Sequence, residues 1–541
     1  MTIEERAYAR RWWILLVLCL SLVVITLDNT ILNVALPTLV RDLHATNSQL
    51  QWMVDSYTLV FAGLLLTAGS LGDRFGRKGA LQIGLAVFAL GSLASALASS
   101  PEQLIATRAL MGIGGAFIMP ATLSILTNVF PAEERGRAIG VWAGVSGLGI
   151  AIGPLLGGYL IDHFSWGSIF TVNLPIAALA IVAGGFLVPT SKDPAAPKLD
   201  PVGAVLSIVG LVALVYGLIE APQEGWGSGT ILGAFAVAVV VLGTFVWWEL
   251  RSEHPMLDVS FFKNPRFTAA SSAITLVFFA MFGFSFLLTQ YFQFVLGYSA
   301  QKTGVYQLPL AITLMVVAPT SARIVEKVGS KVVVATGLAC VSVALLLCTM
   351  LEADSPYPPV LWRMVFLAVG MGLTMAPATE SVMGSLPLAK AGVGSAVNDT
   401  TRQVGGALGV AIVGSVLSSV YGSKIVELFT GKVPASAVQQ AKNGLGEALA
   451  VAQHVDRVPA ADSGAAAGVG ALARGAREAF TSAMHGGALV AAIAAAVGVV
   501  VVIAFLPATA RATDVELQAH EYEDEMAAAA AHGEDLAVVE V

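Results

Sequence analysis

Fourteen charge-poor stretches, each near or above the ~20 residues that an α-helix needs to cross a bilayer, constrain this chain more than any other feature. They begin near Trp12, Trp52, Ala80, Ala109, Ala138, Phe164, Val202, Trp226, Phe267, Thr303, Val332, Met364, Gln403 and Ala479. Only 12% of the residues are charged and 56% are hydrophobic, whereas soluble domains carry roughly 25% charge. The chain therefore reads as an all-α integral membrane protein, although 541 residues would otherwise suggest several soluble domains. The first stretch, Trp12 to Pro37, is too long for a cleaved signal and holds a charge within it, so it is expected to stay in the membrane. A net charge of -7, without a basic cluster flanked by aromatics, argues against a nucleic-acid partner. Cys19, Cys340 and Cys348 all lie in apolar stretches, which points to neither a disulfide framework nor a metal site. No cofactor is expected.

Lysine and arginine placement orients the stretches, because short cytoplasmic loops carry the excess of both. The N-terminal tail and the even-numbered connections hold eighteen Lys or Arg, while the short odd-numbered ones hold only Arg41, Lys302 and Arg363. Both termini are thus expected in the cytoplasm.

Two connections match each other: Gly69-Ser-Leu-Gly-Asp73-Arg74-Phe-Gly76-Arg77-Lys78 and Ala322-Arg-Ile-Val-Glu326-Lys327-Val-Gly329-Ser-Lys331, 253 residues apart. MPAT at Met119 returns as APAT at Ala376, 257 residues on. Agreement between these offsets indicates a duplication, with the two stretches between about 202 and 248 left over. The expected organisation is a cytoplasmic tail at 1–11, a six-helix bundle at 12–189, an inserted helix pair at 201–249, and a second six-helix bundle at 267–507. A long extracytoplasmic loop would occupy 421–478 and an acidic cytoplasmic tail 508–541. Paired bundles around a midplane cavity are a transporter architecture.

The Gly69 to Lys78 segment resembles the loop signature of the major facilitator superfamily. Leu27-Asp28-Asn29-Thr30-Ile-Leu-Asn33-Val-Ala-Leu-Pro37, Arg108 with Gly112-Ile-Gly114-Gly115, and Gly149-Ile-Ala-Ile-Gly153-Pro154-Leu-Leu-Gly157-Gly158 narrow it to the fourteen-helix drug:proton antiporter branch, the QacA and EmrB type. Asn398-Asp399-Thr-Thr-Arg402-Gln403-Val-Gly405-Gly406 resembles that branch's penultimate-helix pattern. The resemblance covers residues 12 to 507. It implies the superfamily fold of two six-helix bundles plus two inserted helices, and proton-coupled export.

Asp28 stands alone in an uncharged stretch, and a carboxylate in hydrocarbon costs at least a few kcal/mol, which makes it a candidate for proton handling. Asp55 lies at a similar depth in the second stretch, though a place at the membrane boundary explains it as well. Arg108 either tunes a neighbouring carboxylate or snorkels at a helix end. Gly69, Asp73, Arg74, Gly76, Arg77 and Lys78 form a charged loop: Gly76 permits the turn, and Asp73 near a helix start is expected to accept backbone N–H bonds. The resemblance adds a gating role to what is otherwise a topology marker. Gly149, Gly153 and Gly157 recur every four residues on one helix face, with Pro154 as a kink and Gly158 beside them. They offer a close-packing seam that the resemblance associates with exporters.

A cavity is expected to draw on Asn33 and on the aromatic ninth stretch, where Phe282, Phe286 and Gln290 stand among Phe278, Phe279, Phe284, Tyr291, Phe292 and Phe294. Aromatic faces attract cations and apolar bodies alike. Glu380, Asp399 and Arg402 fall near the inner ends of the twelfth and thirteenth stretches, with Arg402 expected to pair with Asp399. Glu220 and Glu249 end the inserted pair and are expected to be solvated. The reading is a monomeric plasma-membrane antiporter that exports a small lipophilic, cationic compound against protons, in contact with lipid. Import, or transport of a specific metabolite or lipid, is the first alternative, since fold alone does not set direction. An enzyme is the second. No Walker loop, HExxH or nucleophile elbow in strand-turn-helix context supports it.

Overall fold

The computed structural model describes residues 8–192, 200–252, 255–386, 391–457 and 470–507. Most of the expected N-terminal tail (1–7), the middle of the long loop (458–469) and the acidic tail from 508 lie outside the described residues.

The first bundle holds α1 (Arg11–Leu43), α2 (Asn47–Phe75), α3 (Arg77–Ala96), α4 (Pro101–Val129), α5 (Ala132–His163) and a broken sixth span made of α6 (Ser168–Thr171) and α7 (Asn173–Leu187). The inserted pair is α8 (Pro201–Glu224) and α9 (Gly229–Glu249). The second bundle holds α10 (Pro265–Gln290), α11 (Ala300–Val328), α12 (Ser330–Cys348), α13 (Tyr357–Met383), α14 (Ala391–Phe429) and α17 (Ala471–Phe505). Two short helices, α15 (Ala435–Lys442) and α16 (Leu445–Arg457), separate α14 from α17. Thirteen spans pass as membrane-crossing by length and hydropathy among the described residues. The 32-residue α5 is the fourteenth helix of spanning length.

Polar caps fix where the spans start. Thr46 and Gln49 exchange side-chain and backbone bonds at the head of α2, and Ser100 caps α4 ahead of Pro101, whose missing N–H costs nothing there. At its far end α14 runs on to Phe429, and α17 already begins at Ala471. The alanine-rich ends of the expected 421–478 excursion thus continue the spans, and the remainder folds into α15 and α16.

The duplication is visible in the glycine contacts. Gly84 and Gly114 bring α3 and α4 backbone to backbone, and Gly337 and Gly370, 253 and 256 residues later, do the same for α12 and α13. Gly149 and Gly153 of α5 rest on Thr26 and Thr30 of α1; Gly405 and Gly409 of α14, both 256 residues on, rest on Thr275 and Phe279 of α10. Without a hydrophobic drive between helices in lipid, such close approach is what packing has to work with.

The inserted pair leans on the first bundle through α8. The Trp52 indole donates to Glu220 at 2.9 Å and the Ser48 hydroxyl reaches the same carboxylate, while Ile208 fills the space beside Gly63. Glu249 departs from the expectation of a solvated marker. It is 3% exposed, because the chain after α9 folds back and the Leu257 N–H donates to it at 2.9 Å.

The face of the molecule where α1 begins and α17 ends is here called proximal, and the opposite face distal. Among the described residues, every direct hydrogen bond or ion pair between the two bundles is distal. Gln293 donates to the Val34 carbonyl at 2.8 Å, and the Ala300 and Gln301 N–H groups donate to Asp162 at 3.2 and 2.9 Å. The Asn47 N–H donates to the Asn443 carbonyl at 3.0 Å, and His44 and Glu447 stand 3.7 Å apart. Toward the proximal end, Gly140 and Gly144 of α5 have open space where a Cβ would stand. Among the described residues, the polar bonds between the bundles thus gather at the distal face.

Candidate functional site

Asp28 sits midway along α1 with no exposed surface, and the Arg108 guanidinium of α4 pairs with it inside the first bundle. Arg108 is itself 1% exposed, donates through Nε to the Met53 carbonyl of α2 at 3.1 Å, and lies 4.4 Å over the Tyr57 ring. One side chain thus ties α1, α2 and α4 together. Arg108 is therefore a buried ion-pair partner rather than a snorkelling helix end. The second Asp28 oxygen finds no hydrogen-bond partner among the described residues. Asp55 stands apart on α2, fully buried, with neither oxygen bonded among those residues.

The glycine face of α5 holds the helix that carries Asp28. A Cβ on Gly149 or Gly153 would run into Thr26 or Thr30, and one on Gly157 would come within 2.6 Å of Ile31, so α1 is gripped on both sides of its carboxylate. The neighbouring face of α5 meets the other bundle: Gly158 lies against Ala300 and Gln301, and Gly304 of α11 against the Pro154 carbonyl. Asp162, one turn on, accepts the first N–H groups of α11, where a carboxylate also favours the helix dipole. The stretch from Gly149 to Asp162 is one continuous device linking Asp28's helix to the distal closure.

The charged loop is proximal. Asp73 lies in the last turn of α2, not at a helix start. Its Oδ1 instead accepts from Arg77 Nε and from Ser124 Oγ, each at 2.7 Å. Gly76 takes φ 130°, a turn open to glycine. A Cβ on Gly69 would stand 3.3 Å from Pro120, Lys78 donates to the Gly185 carbonyl at 2.7 Å, and the Arg74 guanidinium lies over Phe75. In the second copy Gly329 keeps the turn at φ 82°, but Glu326 is exposed and makes no ion pair among the described residues.

The second bundle gathers a looser cluster. Arg402 stands 3.6 Å from Asp399, donates to Thr379 Oγ1 at 3.1 Å, and lies 5.5 Å over Phe278, which stacks on Phe282. Phe286 and Gln290 are buried in the packing of α10, Glu380 is exposed, and half-buried Asn33 donates to the Asn29 carbonyl at 3.3 Å. Of the aromatic stretch, then, Phe278 and Phe282 join the polar cluster, while Phe284, Phe286, Tyr291 and Phe292 fill the core. Tyr57, Asp162 and Gly304 escaped the sequence reading. They act through contacts between helices far apart in the chain. A spacing argument for Gly304 and Asp162 exists only once α11 is known to face α5.

A family model described as Major Facilitator Superfamily matches residues 18–410. The chain belongs to the major facilitator superfamily. Among curated proteins this transporter is 36% identical to the multidrug efflux pump LfrA of Mycolicibacterium smegmatis over 91% of its own length and 97% of LfrA's. It is 34% identical to the tetracenomycin C resistance and export protein of Streptomyces glaucescens over 76% of each chain. With the methyl viologen resistance protein SmvA of Salmonella typhimurium it shares 33% identity over 82% and 89% of the two chains. Its fold matches a bacterial homologue of the human lysosomal transporter Spinster, solved inward-facing and unoccupied, with a TM-score of 0.64 at 17% identity, covering 92% and 97% of the chains.

Proposed function

We propose that this transporter is a proton-coupled antiporter that exports small lipophilic compounds, cations among them, across the cell membrane, with its proximal face and both termini in the cytoplasm. The observation that carries the reading is the Asp28–Arg108 pair, a titratable group sealed inside the bundle and mechanically joined to the distal closure. The relatives' names, a multidrug efflux pump and two resistance proteins, favour export of foreign or toxic small molecules. The lysine and arginine bias supports the orientation.

Coupling follows from the pair. A proton on Asp28 removes the charge that holds Arg108, and breaking a buried pair from one side costs about 3–5 kcal/mol. That is of the order needed to move a two-state equilibrium from 1:99 to 99:1, about 5.5 kcal/mol. Whether Asp28 is charged thus decides how α1 sits against the α5 glycine face, and α5 carries the difference to α11. Substrate entering from the cytoplasm meets the Phe278–Phe282 pair and the Asp399–Arg402 cluster, where an aromatic face adds about 0.5 to 2 kcal/mol for a cation. The Asp73 loop serves as the proximal gate, closing against the second bundle in the other state. Inverted membrane vesicles with an imposed proton gradient test the reading. Lipophilic cations should dissipate the gradient only when the protein is present. A gradient that none of a broad panel dissipates would refute proton-coupled export.

A further inference from the structure

A file of aromatic rings leads from the buried end of α10 to the distal surface. Phe292, with no exposed area, stacks on Tyr298 at 5.8 Å between centroids. Tyr298 meets Tyr306 edge to face at 5.2 Å, and Tyr306 lies 3.9 Å from Tyr357. Phe292 belongs to the π-helical turn Tyr291–Val295 that closes the α10 span, an irregularity often found at functional sites. Tyr298 stands in the connection to α11, Tyr306 near the start of α11, and Tyr357 at the first position of α13. The Tyr357 hydroxyl donates to the Tyr306 carbonyl at 3.0 Å, which fastens the outer pair. All three tyrosines are half-buried, so their rings are held in place and still reachable.

The corner they make already holds a cation. The Lys302 ammonium lies 3.9 Å from the centre of the Tyr298 ring and 5.3 Å from that of Tyr306, and the two ring planes stand at 85° to each other. Lys302 makes no ion pair among the described residues, and Asp162 is taken up by the Ala300 and Gln301 N–H groups. Ring faces, rather than a carboxylate, therefore attract this ammonium, as they do quaternary ammonium ligands. The same stretch carries two of the polar links that join the bundles distally, Gln293 to Val34 and Ala300 with Gln301 to Asp162.

We propose that Tyr298, Tyr306 and Tyr357 form a distal release site for quaternary ammonium and other lipophilic cations, and that Lys302 is a tethered competitor that displaces them. When the neighbouring links part, a departing cation passes from Phe292 onto the tyrosine faces, and Lys302 swings into water to make room. Without a carboxylate to hold the guest, the returning ammonium expels it. Its tether gives Lys302 an effective concentration of roughly millimolar or more, so dilute cations outside seldom refill the site. The place of this site on an export route rests on the antiport reading, whereas its affinity for cations does not.

The test uses the full chain in lipid nanodiscs, where both faces meet the reagent. Lysines are acylated with an N-hydroxysulfosuccinimide ester, and the rate at Lys302 is read by peptide mass spectrometry. Tetraethylammonium should displace Lys302 and speed its acylation by about 2- to 30-fold, the range that one aromatic face supports. Exposed Lys432 should be unaffected, and 3-ethyl-3-pentanol, a neutral molecule of similar bulk, should change neither. Tyr306→Leu should acylate fast with or without the probe, while Tyr306→Phe, which keeps the ring, should respond as the wild type does. A wild-type rate indifferent to tetraethylammonium, equal acceleration by the alcohol, or a Tyr306→Leu protein that still responds overturns the proposal. Failure of the antiport reading shows elsewhere, as a proton gradient that no lipophilic cation dissipates, and leaves the Lys302 result standing.

Discussion

The two bundles descend from one repeat, yet they hold their charges in opposite ways. In the first, Asp28 and Arg108 are sealed from solvent and cross-braced to three helices, and the proximal loop is fastened by Asp73 to both Arg77 and Ser124. In the second, Arg402 and Asp399 are only partly buried, their side chains 29% and 14% exposed, Arg402 lies over an aromatic ring, and the matching loop keeps only its glycine turn. Buried, braced charge suits a switch, because altering it changes the energy of a whole bundle. A partly solvated cluster beside aromatic rings suits a surface that meets varied molecules. Under the proposed antiport, the difference divides the labour: the first bundle would read protons and gate, and the second would offer contact to the cargo.

The sharpest way to break that division is to remove each arginine. Arg108→Ala leaves Asp28 buried without its partner and should cost about 3–5 kcal/mol, seen as a large loss of thermal stability in detergent and of folded yield. Arg402→Ala, at a pair with 29% and 14% of its side-chain surface exposed, should cost less, about 1–3 kcal/mol. Equal losses would mean that the two clusters are equivalent.

A second comparison sets the two glycine seams against each other. Gly153→Leu should abolish transport in a protein that still inserts, since its side chain has no space beside Thr30, and Gly153→Ala should be milder. Gly409→Leu strikes the matching seam against Phe279 and should impair folding as well as transport, because that seam also builds the core of the second bundle. Quantifying inserted protein alongside dye efflux separates the two; normal efflux in Gly153→Leu would mean the α1–α5 contact carries no function.

The loops come next. Asp73→Asn should lower turnover about tenfold while leaving substrate affinity within about twofold, and Glu326→Gln should change neither by more than about twofold. A large change in affinity for Asp73→Asn would place the loop in the binding site. The smallest effect is expected at Phe282→Leu, which should weaken binding of a lipophilic cation by about 2- to 30-fold, the worth of one aromatic face, and leave proton coupling intact.

Much of this molecule was legible in the sequence, for reasons that can be named. The spans follow from composition, since a run without charges has one use in hydrocarbon, and the duplication follows from two loops at a matching offset. Asp28 stood out because nothing around it was charged. Its partner was harder: Arg108 is 80 residues away, and only the packing of α4 on α1 and α2 decides between a buried pair and a snorkelling end. The aromatic stretch misled in part. Phe286 and Gln290 have the right chemistry for a cavity, but the rotation of α10 turns them into the bundle, and rotation is set by neighbours that the sequence does not name. Glu249 became buried through a chain reversal after α9, which no periodicity records.

The central claim is that Asp28 carries the proton whose movement is exchanged for substrate. Purified protein in proteoliposomes with a pH-sensitive dye and an imposed proton gradient measures this directly, with substrate affinity recorded on the same preparation. The account predicts that substrate triggers proton flux through the wild-type protein, and that Asp28→Asn, folded and still binding substrate, moves no protons and builds no substrate gradient. Substrate-triggered proton flux at the wild-type rate in Asp28→Asn would contradict it.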